Sequence, residues 1–139
     1  VQDEPFDLDG IRVSSDAMPH TTMASVAYRM DEDGKSLVYM TDIEHYNGDI
    51  SDNAMALAEG ADILVHDTHF SPEDYVKGCG HSSVDMAVEL AEKAHVKQLV
   101  MFHYSPDYND DDIRKLYGRF KDQSELTLIA AEEGLKLTL

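Results

Sequence analysis

Three apolar stretches of this sequence each run into residues that can bind a metal ion. Residues 37–41 lead to Asp42, residues 63–65 lead to His66-Asp67-Thr68-His69, and residues 99–102 lead to His103. His20 precedes another apolar stretch, and His81 follows Gly80 just ahead of a helical pattern. Imidazole and carboxylate donors together suit zinc, manganese or iron. His81 has a second option, because a helix N-terminus disfavours its cationic form and so suits a neutral base or a ligand. Each residue also has an ordinary structural explanation. A lone His after a strand is commonly a surface or capping residue, and Asp42 can cap a turn. His95 falls where a helix ends, and a cation there simply favours the dipole. His66 and His69 have a spacing for pairing, but on a strand it points them to opposite faces, so a joint role needs a turn between them. His45 is ambiguous, and Tyr46, Tyr75, Tyr104 and Tyr108 are candidates to line a cleft.

These residues need elements to position them. Residues 11–13 suit a short strand, and residues 23–30 and 36–41 suit two more. Between the latter lies Asp31-Glu32-Asp33-Gly34-Lys35, whose Asp-Gly marks a hairpin turn. Ser51 caps a short helix with Ala54, Leu57 and Ala58 inward and Gly60 at its end. Ile63-Leu64-Val65 reads as a strand buried on both faces. A short helix is predicted from Pro72 with Ser71 as its cap. Ser82 and Asp85 stand at capping-box spacing, and Val84, Ala87, Val88 and Ala91 repeat at helical period. Residues 99–102 form another buried strand. Asp110, Asp111 and Asp112 suit the positive end of a helix with Ile113, Leu116, Tyr117 and Phe120 on one face. Residues 126–131 and 135–139 close the chain as strands. Helices alternating with buried strands make the class α/β. No linker divides the chain, so residues 1–139 are expected to form one unit. The carboxyl ends of strands in an open α/β sheet share one rim, which gathers Asp42, residues 66–69 and His103 and lets His20 reach them.

Five segments together resemble metallo-β-lactamase-fold hydrolases, in the order that family uses. Leu37-Val38-Tyr39-Met40-Thr41-Asp42-Ile43-Glu44-His45 resembles the strand ending in the family's metal-bridging Asp. Gly60-Ala61-Asp62-Ile63-Leu64-Val65-His66-Asp67-Thr68 is similar to its Gly-Ala-Asp…His-Glu/Asp segment. Gly80-His81-Ser82-Ser83 resembles the Gly-His-Ser-Thr motif of the ribonuclease Z-like and phosphodiesterase-like branch, residues 99–103 resemble the strand presenting the last metal His, and Pro19-His20 matches the third motif. The resemblance implies the C-terminal half of an αββα sandwich, a mixed sheet with helices on one face. It implies two divalent ions, zinc foremost and manganese or iron as alternatives. His20 would bind the first ion, Asp42 would bridge both, and His103 would bind the second. His81 would donate a proton to the leaving group, and Asp67 would orient His81.

One departure matters. The family's His-x-His-x-Asp-His motif does not occur here. One direct ligand plus the bridge is left for each ion, where catalytic sites usually have about three protein ligands. The expectation is therefore a C-terminal half, inactive alone, completed by a missing N-terminal half or a second copy. The net charge of -17 repels long nucleic acid and anionic membranes. It favours a small phosphodiester or related ester as substrate. No apolar run approaches the ~18–20 residues of a membrane span. Cys79 is the single cysteine, so there is no disulfide framework, and a reducing cytoplasm fits. Two other classes compete: a non-catalytic acidic binding module on a half-fold whose metal residues are relics, and a receiver-type signalling module with Asp42 as phosphoacceptor. The latter lacks the late-strand Lys and the early acidic pair that such modules use.

Overall fold

The computed structural model describes residues 4–123 and 125–139, so part of the unit expected over 1–139 lies outside the described residues. The strands are β1 (Phe6–Leu8), β2 (Ile11–His20), β3 (Met23–Glu32), β4 (Lys35–Met40), β5 (Ile63–Asp67), β6 (Gln98–Phe102) and β7 (Thr127–Ala130). The helices are α1 (Asp52–Ala58), α2 (Val84–Lys93) and α3 (Asp110–Phe120). The strands form a single sheet in chain order, β1-β2-β3-β4-β5-β6-β7.

The connections dictate strand direction. Short turns join β1 to β4, so these pairs are antiparallel. Between β3 and β4 the turn residues Asp33 and Gly34 have φ of 48° and 75°, the left-handed pair that a two-residue hairpin requires. Beyond β4, each connection to the next strand contains one of the helices, so β4 to β7 run parallel.

One face of the sheet carries the core. Val38 and Met40 on β4, Leu64 on β5, Leu99 and Met101 on β6 and Leu128 on β7 pack with Ala54, Leu57 and Ala58 of α1. Val84, Ala87, Leu90 and Ala91 of α2 and Leu116 and Phe120 of α3 belong to the same cluster, so all three helices lie on that face. On the opposite face the register aligns Tyr28, Tyr39, Val65, Val100 and Ile129 across the strands. There Val26, Tyr28, Tyr39 and Phe102 are exposed. This is the mixed α/β half-sandwich that the sequence resemblance implies.

Several local expectations differ from the structure. The strand expected over residues 11–13 extends to His20, because β3 pairs with it along its length despite the polar Ser14, Ser15 and Asp16. Asp16 is buried and accepts from the Asn53 side chain at 3.0 Å, which makes a polar residue tolerable inside the strand. No helix starts at Pro72. Ser71 Oγ instead accepts the Asp74 N–H at 3.2 Å and closes a turn. Ser82 does not cap α2: the N-cap is Ser83, and Ser82 Oγ donates to the Ile43 carbonyl at 2.7 Å. Residues 135–139 form no strand, for β7 pairs only with β6 and the final leucines stay exposed.

Candidate metal centre

Since β4, β5 and β6 run parallel, their carboxyl ends share an edge. Asp67 is the last residue of β5, His103 directly follows β6, and Asp42 lies two places beyond β4. Asp42 and His103 both have left-handed backbones, with φ of 54° and 58°. Non-glycine residues adopt that region sparingly, at a cost on the order of 1 kcal/mol. The shared distortion brings Asp42 Oδ1 to 3.5 Å from His103 Nε2.

Each neighbouring imidazole is anchored from behind. His20, the last residue of β2, donates from Nδ1 to the Gly80 carbonyl at 2.7 Å. His81 donates from Nδ1 to Asp67 Oδ2 at 2.8 Å. Asp67 is fully buried, and its Oδ1 accepts the backbone N–H groups of His69 and Ser82. His69 donates from Nδ1 to the His103 carbonyl at 3.2 Å. All three partners are acceptors, which puts the proton on Nδ1 and leaves a lone pair on Nε2 when the ring is neutral. The His69 pKa is lowered, first by burial and then by His81 nearby.

Two donor groups result, each with its atoms within 4.8 Å of one another: His20, Asp42 and His81; and His69, His81 and His103. His81 belongs to both, stacked on His69 with ring centroids 4.4 Å apart and on His103 at 5.0 Å. The five residues singled out in the sequence, His20, Asp42, Asp67, His81 and His103, therefore lie at one rim. Imidazole and carboxylate donors with acceptors behind them fit a divalent transition metal.

Two further residues contribute; the sequence raised His69 only as a partner of His66 and gave Glu44 no role. His69 joins the centre without His66, because the chain leaves β5 between them. His66 instead faces the core and stacks on buried His45, their Nε2 atoms 3.2 Å apart. Because His66 Nδ1 donates to the Asp67 carbonyl, its Nε2 must accept from His45 Nε2, so the His66 ring is neutral. Burial lowers both pKa values to about 4.

Glu44 is the second. Its buried carboxylate accepts the Tyr75 hydroxyl at 2.7 Å, the Gly78 N–H at 2.6 Å and the Gly80 N–H at 2.7 Å. Burial pushes its pKa up, but these hydrogen bonds outweigh burial and the net shift is downward. Glu44 thus fixes the loop that carries Gly80 and His81. Gly80 itself has φ of +87°, and a Cβ there would lie 2.3 Å from His20 Nδ1. Each tyrosine has its own partner: Tyr46 donates to the Thr21 carbonyl and lines an opening of about 540 Å³ beside His20, Tyr75 donates to Glu44, Tyr104 to the Met101 carbonyl and Tyr108 to Asp74.

The sequence signature of the Beta-lactamase superfamily domain matches residues 1–104. The chain belongs to this family. A ribonuclease Z of Picrophilus torridus is 39% identical over 79 residues, which is 55% of this chain and 24% of that protein. Among solved structures, the metallo-β-lactamase-fold protein YhfI of Bacillus subtilis superposes with a TM-score of 0.77 at 20% identity, over 97% of this chain and 51% of its own. A new diphosphatase of the PhnP family gives a TM-score of 0.68 at 27% identity, over 99% and 46%. The chain thus spans about a quarter of the ribonuclease Z and about half of each solved structure. Family membership sets aside the receiver-type reading of Asp42.

Proposed function

We propose that this chain is the C-terminal half of a two-metal phosphodiester hydrolase, and that it supplies the bridging carboxylate and the proton donor. The observation that carries this reading is the His81–Asp67 pair, 2.8 Å apart, set between His20 and Asp42 on one side and His103 on the other. His20 would hold the first ion, His103 the second, and Asp42 both. Two bound divalent ions, zinc best matched to these donors, supply Lewis-acid stabilisation of the phosphoryl group and make water more acidic. The chain's own part is proton transfer. Asp67 fixes the His81 ring and stabilises its imidazolium form, and Nε2 then gives a proton to the departing alkoxide oxygen.

One direct donor and the bridge for each ion fall short of the usual ~3 protein ligands. The remaining donors would come from a further segment or a second copy, seated where Tyr28 and Tyr39 are now exposed. Alone, the chain would then be inactive. The charge of -17 favours a small diester. A specific observation favours RNA instead, namely the identity to a protein named ribonuclease Z.

The test uses the longest protein that contains this chain. His81→Ala should slow cleavage of a diester with a poor alkoxide leaving group by about 10²–10⁴-fold. A p-nitrophenyl diester, whose leaving group needs no proton, should lose far less. Equal losses on both substrates would remove His81 as proton donor. Faster cleavage of structured RNA than of small diesters at matched concentration would decide for the nuclease reading.

A further inference from the structure

His69, the unassigned histidine of the rim, has its Nδ1 bound to the His103 carbonyl and its ring stacked on His81. We propose that His69, His81 and His103 form a three-imidazole site for a zinc-class cation, built entirely from this chain. Their ligand atoms lie within 4.8 Å of one another. His69 and His81 each present Nε2 with the opposite nitrogen tied to an oxygen acceptor, the arrangement that orients metal-binding imidazoles. Zn–N bonds of ~2.0–2.1 Å require the three nitrogens to draw together from that envelope. The side chains are only partly buried at an open rim, which allows it. Three neutral nitrogens favour Zn(II), Cu(II) or Ni(II) over magnesium or calcium, and they leave a fourth position for water or an anion.

This site differs in its ligands from the His20, Asp42 and His103 set of the proposed hydrolase, but it shares His81 and His103. An ion on His69, His81 and His103 occupies the Nε2 lone pair through which His81 would carry its proton. On the hydrolase reading, which this consequence alone rests upon, a cation here is an inhibitor. Zinc in excess would silence turnover by taking both the His81 lone pair and the His103 nitrogen that the second catalytic ion needs.

The experiment measures binding to the 139-residue chain, stripped with chelator and titrated with Co(II) and Zn(II) by visible absorption and calorimetry. One ion per chain is expected, with the intense visible bands of four-coordinate Co(II). His69→Gln should weaken binding at least tenfold, whereas His20→Gln should change it less than threefold. Unchanged affinity in His69→Gln, or a larger loss in His20→Gln than in His69→Gln, overturns the site. If His69→Gln fails to fold, ¹⁵N spectra of the wild-type imidazoles replace it: zinc must move the His69 Nε2 resonance, and a stationary resonance overturns the site. Turnover plays no part in these readouts, so a missing diesterase activity would defeat the hydrolase reading and leave this one standing.

Discussion

The Glu44 carboxylate accepts the backbone N–H of Gly80 at 2.7 Å, which ties the segment after Asp42 to the residue just before His81. Two loops, one after β4 and one before α2, are held together by one buried anion. An amide cannot replace it, since one end of the amide would turn N–H groups toward the N–H of Gly78 or Gly80. Glu44→Gln should lower stability by about 1.5–3 kcal/mol, the range for hydrogen bonds to a charged group. Tyr75→Phe removes one of the same bonds and should cost about 1 kcal/mol. Urea unfolding of the two variants checks both the direction and the ranking.

Gly80→Ala meets two penalties. The +87° φ strains any side chain, and the new Cβ would lie 2.3 Å from His20 Nδ1. His20 must then swing away and lose its bond to the Gly80 carbonyl. The variant should unfold at lower urea, by about 1–3 kcal/mol, and the His20 imidazole ¹⁵N shifts should change in the folded protein. Unaltered His20 shifts would show that the contact is dispensable.

Asp67→Asn tests the tautomer. Asp67 accepts from His69 and Ser82 through one oxygen and from His81 through the other. Asparagine has only one oxygen, so its amide NH₂ would face His81 Nδ1 and move the ring proton to Nε2. Affinity for zinc at sites that use His81 should fall about 10–100-fold. Calorimetry on the variant, with ¹⁵N shifts reporting the tautomer, decides it.

The buried His45–His66 pair gives a pH dependence with a defined sign. Unfolded imidazoles bind a proton near pH 6.5, whereas these two do so only near 4. Between those values the unfolded chain holds more protons, so stability falls as pH drops from 6.5 toward 4, by at most about 3 kcal/mol per ring. Glu44 acts in the same direction, because a carboxyl with a lowered pKa loses its stabilisation as pH falls. Urea midpoints at pH 7 and pH 4.5 should differ clearly for the wild type and less for His45→Leu.

The face carrying Val26, Tyr28, Tyr39 and Phe102 should drive association of the isolated chain. Tyr39 and Phe102 already contact each other at 6.0 Å between centroids. Sedimentation should show concentration-dependent growth, and Tyr39→Lys should suppress it without lowering thermal stability.

Much of this architecture was legible in the residues. Strands β5 and β6 are short apolar runs that stop at polar groups, and Ala54, Leu57 and Ala58 face inward on α1 as their spacing requires. What escaped notice depends on partners distant in sequence. Polar residues disguise β2 until β3 pairs with it, and Ser82 gives up a cap that its spacing allows for a bond to Ile43. His69 acquires meaning only when His81 stacks on it, and Glu44 only when the loop at Gly78 and Gly80 closes over it. Asp67 was assigned through resemblance. Its buried contact with His81 supplies the physical reason for that assignment.

The strands stand in the sheet in the order in which the chain runs. A ribosome could therefore lay down this sheet edge first, each new strand meeting a neighbour already made, and no half-built edge would wait long for its partner. The metal centre follows a different schedule. His20 ends β2 and His103 follows β6, so four further strands are made between the two residues before both can grip an ion.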